Sequence, residues 1–132
     1  MTTVRGLLWD RSGGRCEVSG RSIEFETFDA HHRRPKGMGG TRRENRDNVE
    51  CLLALHPDVH NLSPDSVHLF PGWSRPRGYL VSKHTDDPGQ VPVWWRGCAW
   101  VLLTPDGSYQ FLPRQLWGKP LPVKHMNGRV YR

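Results

Sequence analysis

The sequence predicts a small single-domain α+β fold, and three observations carry that expectation. Fourteen glycines and eleven prolines break the apolar residues into short runs, which favours short elements and many loops over a helix bundle. One run alternates apolar and charged residues with the period of a half-buried strand. A late aromatic and β-branched stretch is interrupted by Pro-Asp-Gly, a turn that closes hairpins. At 132 residues the chain fits one domain, and six tryptophans offset a low hydrophobic content because each large ring buries much area.

The elements follow in order. "LLWDRSGGRCEVSG" reads as a short helix or turn and then a tight loop around Gly13 and Gly14. "SIEFETFDAHH" (22–32) sets Ile23 and Phe25 against Glu24 and Glu26, a strand pattern. A glycine loop, "RRPKGMGG", separates it from the apolar run "NVECLLAL" (48–55), a second strand. In "HPDVHNLSPDSVHL" (56–69) a proline follows His56 and suits a first helical turn. "VWWRGCAWVLLT-PDG-SYQFL" predicts a hairpin, and the basic, proline-rich end reads as a partly ordered tail. Residues 1–74 are expected to form the core unit and 75–132 a β-hairpin extension and tail packed on the same domain.

Charge is unevenly placed. Residues 31–46 carry six Arg/Lys against one Glu, and 107–132 carry five against no acid, whereas 47–74 carry four acids and no Arg or Lys. With a net charge of +6, two basic blocks suggest a polyanion such as nucleic acid; plain solubility accounts for them equally well. No run is long enough to span a membrane and the first residues lack a secretory apolar stretch, so a cytoplasmic location without a membrane partner is expected. Cys16, Cys51 and Cys98 are too scattered for a disulfide framework.

Chemistry concentrates in residues 29–60. Neighbouring strand residues point to opposite faces, so His31 and His32 divide a task instead of sharing one ion. His56 and His60 are four apart, and a helical turn would bring both rings to one side. If strand and helix pack together, His31, His56 and His60 form three corners of a metal site with positions left open for water or substrate. His68 is the substitute ligand if the helix register differs. A His-x-x-x-His pair alone also occurs by chance on surface helices, and the glycine loop alone is any exposed turn.

The order "HHRRPKGMGG…DN…HPDVH" resembles the HNH, or His-Me finger, endonucleases with their ββα-metal fold. It is most similar to the colicin-nuclease variant, and the downstream "GYLVSKHTDDPGQVPV" looks like HNH proteins of phages and prophages in actinobacteria. The resemblance implies a DNA endonuclease or nickase that leaves a 5′-phosphate and a 3′-hydroxyl, and work beside phage terminase subunits in genome packaging. It implies His31, His56 and His60 as metal ligands, His32 as the general base, and Asn48 as the residue that braces the base. Arg33, Arg34, Lys36, Arg42, Arg43 and Arg46 are expected to hold the DNA backbone. One divalent ion is expected, Mg2+ or Mn2+ in use, with Zn2+, Ni2+ or Co2+ able to bind. Relatives carry two C-x-x-C pairs around a structural zinc; here Ser19 and Leu55 stand at two of those places, so that zinc is not expected. The same departure keeps a second expectation open, a catalytically silent DNA-binding or packaging accessory.

Overall fold

The computed structural model describes residues 3–34, 47–62 and 67–114, with the two short strands of 123–124 and 130–131. The fold is α+β: short helices packed with antiparallel strands. Helix α1 (Val4–Ser12) starts where the Thr3 hydroxyl accepts the Gly6 N–H at 2.9 Å, and it ends where Gly13 turns left-handed at φ 64°.

Strand β1 (Asp29–His32) pairs antiparallel with β2 (Leu52–Leu55), Asp29 opposite Leu55 and His32 opposite Leu52. The helical turn Asp58–Leu62 follows β2 directly. Only the end of the predicted first strand is extended. Ser22 makes an isolated bridge to Arg15, and residues 25–27 turn. There Phe25 packs edge-on against Trp9 and the Arg5 guanidinium donates to the Phe25 and Phe28 carbonyls, so the local alternation serves a capped turn instead of a ladder. The second run also shortens, since residues 49–51 form a single tight turn before β2.

The hairpin is larger than expected. Strands β3 (Val93–Trp95), β4 (Ala99–Leu103) and β5 (Tyr109–Phe111) make a three-stranded meander. The turn at Thr104–Gly107 joins β4 to β5 as Pro-Asp-Gly predicted. An additional turn at 96–98 splits "VWWRGCAW" into two strands. Arg96 adopts φ 55° there, its guanidinium over the Trp95 ring. A further pair, β6 (Val123–Lys124) and β7 (Val130–Tyr131), lies in the region read as a tail.

One hydrophobic core joins the regions, with Leu8, Leu53, Leu55, Val67, Tyr79, Trp94 and Trp100 in a single buried cluster. Glu17, fully buried, ties them together. It takes two bonds from the Arg11 guanidinium (2.6 and 2.8 Å), one from the Ala54 N–H and one from the Trp95 indole N–H (each 2.8 Å). A buried charge is tolerable only when paired and hydrogen-bonded, and this carboxylate is both. Among the described residues no helix is long and apolar enough to cross a membrane.

Candidate metal centre

His31 lies mid-strand on the inner face of β1, 1 % exposed, while His32 points the other way with about a third of its side chain exposed. The opposition predicted from strand geometry is therefore present. The turn after β2 places His60 beside His31. Two backbone bonds then fold the chain back, Val67 N–H to Val59 C=O (2.9 Å) and His68 N–H to His60 C=O (3.4 Å). They carry the exposed His68 to the same point.

Three ring nitrogens converge, all within 4.8 Å of one another. His31 Nδ1 is 3.2 Å from His60 Nε2, and His68 Nε2 is 2.9 Å from the same atom. Their outer partners fix the tautomers. His31 Nε2 sits 2.7 Å from the Tyr79 carbonyl, which only accepts, so Nε2 carries the proton and Nδ1 is a bare lone pair. His60 Nδ1 lies 3.0 Å from an Asp29 carboxylate oxygen, so it too is protonated and Nε2 is bare. Two ring nitrogens with outward lone pairs thus face each other at 3.2 Å, with His68 Nε2 2.9 Å from one of them, an arrangement that suits a cation between them. Protons fill that place poorly. Burial above all, then the neighbouring rings, pushes the His31 pKa down to about 3 despite the Tyr79 carbonyl, and burial with the His60 ring lowers that of His68.

The donor set fits a metal. Imidazole nitrogens at ~2.0–2.1 Å from a tetrahedral ion stand roughly 3.3 Å apart, close to the spacing here. The carboxylate on His60 and the carbonyl on His31 are the outer contacts that orient imidazole ligands in metal sites.

His56 does not join this group. Its Nδ1 accepts the Asp58 N–H at 3.1 Å, and its carbonyl accepts the His60 N–H. It caps the turn, so its ring folds onto the first free amide and the i, i+4 alignment with His60 is lost. Of the expected set His31 and His60 meet, His56 does not, and His68, the substitute ligand, stands in the third place of a group that could hold an ion.

His32 Nε2 lies 2.8 Å from Asp47 Oδ1. The carboxylate holds that N–H and leaves Nδ1 as the lone pair able to take a proton. Asp47 escaped the sequence reading, which gave the brace to Asn48. Asn48 is exposed and instead lines a pocket of about 340 Å3 with Glu50, Asp87, Gly89, Gln90, Leu103 and Pro105. The signal for Asp47 was present in "DN", two residues that each suit the role.

The two described arginines also change role. Arg33 is completely buried, and its guanidinium donates to the carbonyls of Gly78, Glu50, Pro88 and Val91 at 2.7–3.1 Å. Arg34 is 6 % exposed and donates to the Thr85 and Asp86 carbonyls. Each secures the 78–91 segment to β1, so neither is placed to hold a DNA phosphate. Lys36, Arg42, Arg43 and Arg46 lie outside the described residues.

No family model, curated protein or solved structure matches the chain.

Proposed function

We propose that the protein is a metal-dependent DNA endonuclease or nickase of the HNH, ββα-metal kind, with β1, β2 and the turn Asp58–Leu62 as its finger. The observation that carries this reading is the convergence of three imidazoles, two of them tautomer-fixed, beside one face of β1, with a carboxylate-held histidine on the other. Such a pair of sites at one strand has the two things phosphodiester hydrolysis needs, a place for positive charge and a base for water.

His31, His60 and His68 would hold the ion, and Asp29 and the Tyr79 carbonyl would orient two of them. When bound, a divalent ion supplies Lewis acidity toward a phosphate oxygen and the leaving oxygen. Three imidazoles favour Zn2+, Ni2+, Co2+ or Mn2+ over Mg2+, which prefers oxygen ligands. His32 Nδ1 takes the proton from water as the water oxygen bonds to phosphorus and the P–O3′ bond breaks, the leaving O3′ taking its proton from a solvent water. Asp47 steadies the imidazolium that results. A phage origin and work beside terminase subunits belong to the same proposal and rest on the sequence resemblance alone.

The test is conversion of supercoiled plasmid by the purified protein with Mg2+, Mn2+, Ni2+, Zn2+ or EDTA. Metal-dependent nicking is expected. His32→Ala should slow it by roughly 10²–10⁴, the usual share of a general base, while metal binding measured by calorimetry persists. Equal nicking by His32→Ala would remove the base assignment. Duplex binding without conversion under any ion would turn the reading toward a silent DNA-binding accessory.

A further inference from the structure

The residues that follow His68 are exposed and apolar where a soluble surface is normally polar. Leu69 is 60 % and Phe70 45 % exposed. Of the other large exposed hydrophobics among the described residues, two rest on neighbours, Phe25 on Trp9 and Phe111 on Tyr109. Phe70 makes no ring contact among the described residues. Its backbone is nevertheless fixed, because its carbonyl accepts the Trp73 and Ser74 N–H groups that open helix α2 (Pro71–Ser74). The Ser74 hydroxyl in turn donates to the Val67 carbonyl at 2.8 Å. A rigid turn therefore presents a free aromatic ring.

Position and charge say what the ring meets. Two residues span at most about 7 Å of backbone, so Phe70 is anchored next to any phosphate held at His68. From Val67 to Thr85 the chain carries Arg75, Arg77 and Lys83 and no acid, with Arg75 exposed. An apolar tip on a rigid, basic, acid-free segment suits a nucleic acid, whose phosphates attract the base of the segment and whose bases accept the tip. A protein partner would be served by apolar area alone and gives no reason for the adjacency to His68.

We infer that Leu69 and Phe70 form a wedge that unstacks the base step beside the scissile phosphate, so that easily opened steps such as TA and CA/TG are the preferred cutting sites. The inference rests on the endonuclease reading and adds to it a wedge and the step it selects.

The experiment uses a short duplex with 2-aminopurine at a central TA step, bound to the full chain carrying His32→Ala so that no cutting intervenes. Binding should raise the 2-aminopurine fluorescence several-fold. Adding Phe70→Ala should abolish most of that rise and weaken binding roughly five- to hundredfold, whereas Phe70→Trp should keep both. In the cutting protein, Phe70→Ala should flatten the preference for TA and CA/TG steps across a mapped plasmid. An unchanged fluorescence rise and step preference in Phe70→Ala, with plasmid nicking intact, would overturn the wedge and leave the endonuclease standing. Loss of a sedimenting dimer in Phe70→Ala with unchanged DNA signals would assign the tip to a protein interface and equally overturn it. Absence of duplex binding and of nicking by the unmodified chain would remove both readings together.

Discussion

His31, in β1, and Arg33, in the bend just past it, are both buried to within 1 %, yet the protein treats them in opposite ways. Arg33 has four guanidinium bonds to backbone carbonyls drawn from three segments. His31 has one nitrogen bonded to a carbonyl and the other aimed at His60 Nε2, which His68 Nε2 also approaches. A buried polar group with its partners in place is part of the scaffold. One whose lone pair meets another lone pair is a site that expects something else. The basic residues of the motif thus separate by their partners, not by their charge.

Removing Arg33 should do the most damage. Arg33→Met removes the guanidinium donor from the Gly78, Glu50, Pro88 and Val91 carbonyls, of which Pro88 keeps the Val91 N–H, and the loss should be about 3 kcal/mol or more, read from the urea midpoint. Arg33→Lys should recover little of it, because a single ammonium cannot serve a planar set of four acceptors. Preserved stability with weakened DNA binding would return Arg33 to the surface role the motif suggested.

The next comparison is His68 with His56. Metal affinity, followed by calorimetry with Zn2+ and Ni2+, should fall by more than about a hundredfold in His68→Ala, since a ligand is lost and not merely its support. His56→Ala should cost the cap, about 1 kcal/mol of stability, and leave the affinity within a few-fold. The reverse pattern would restore the His-x-x-x-His set and break the account of the converging nitrogens.

Much of this arrangement was legible, and the part that was not has a physical reason. Period-two geometry alone placed His31 and His32 on opposite faces, and the Pro-Asp-Gly turn and the apolar run 48–55, of which 52–55 is strand, were visible as composition. The His56 error came from treating a spacing as a helix. Proline at 57 marks a helix start, and a start makes the preceding residue a cap whose ring faces its own amides. His68 lies eight residues from His60, a separation that no periodicity links, and only the backbone bonds from Val67 and His68 close it. Arg33 and Arg34 read as loop charges because burial of an arginine by carbonyls leaves no trace in composition.

Acid should expose the same contrast more gently. In the metal-free protein His31 has its pKa lowered from 6.5 to about 3 by burial. Between those values the unfolded chain binds a proton that the folded one does not, so stability should be level above pH 6.5 and fall as pH drops toward 3. Thermal unfolding across that range measures it. His31→Gln, which removes the titrating group, should flatten the slope; an equal slope in that variant would place the acid sensitivity elsewhere.

The smallest effects separate the two carboxylates that hold histidines. Asp29 meets His60 on the metal side and Asp47 meets His32 on the other, at 3.0 and 2.8 Å. Asp29→Asn keeps the shape but can present an amide N–H to His60 Nδ1, turning the ring's tautomer and its ligating lone pair away. Metal affinity should fall about tenfold, at the lower end of outer-contact losses, and the nicking rate at saturating metal should recover. Asp47→Asn disturbs the base alone, so affinity should stay and the rate at saturating metal should drop by about tenfold. Asp47 is largely exposed, and water can replace part of its hold, which keeps this effect modest. If both variants lost affinity equally, the two faces of β1 would not be dividing the work between ion and base, and the opposition of His31 and His32 would be a feature of strand geometry alone.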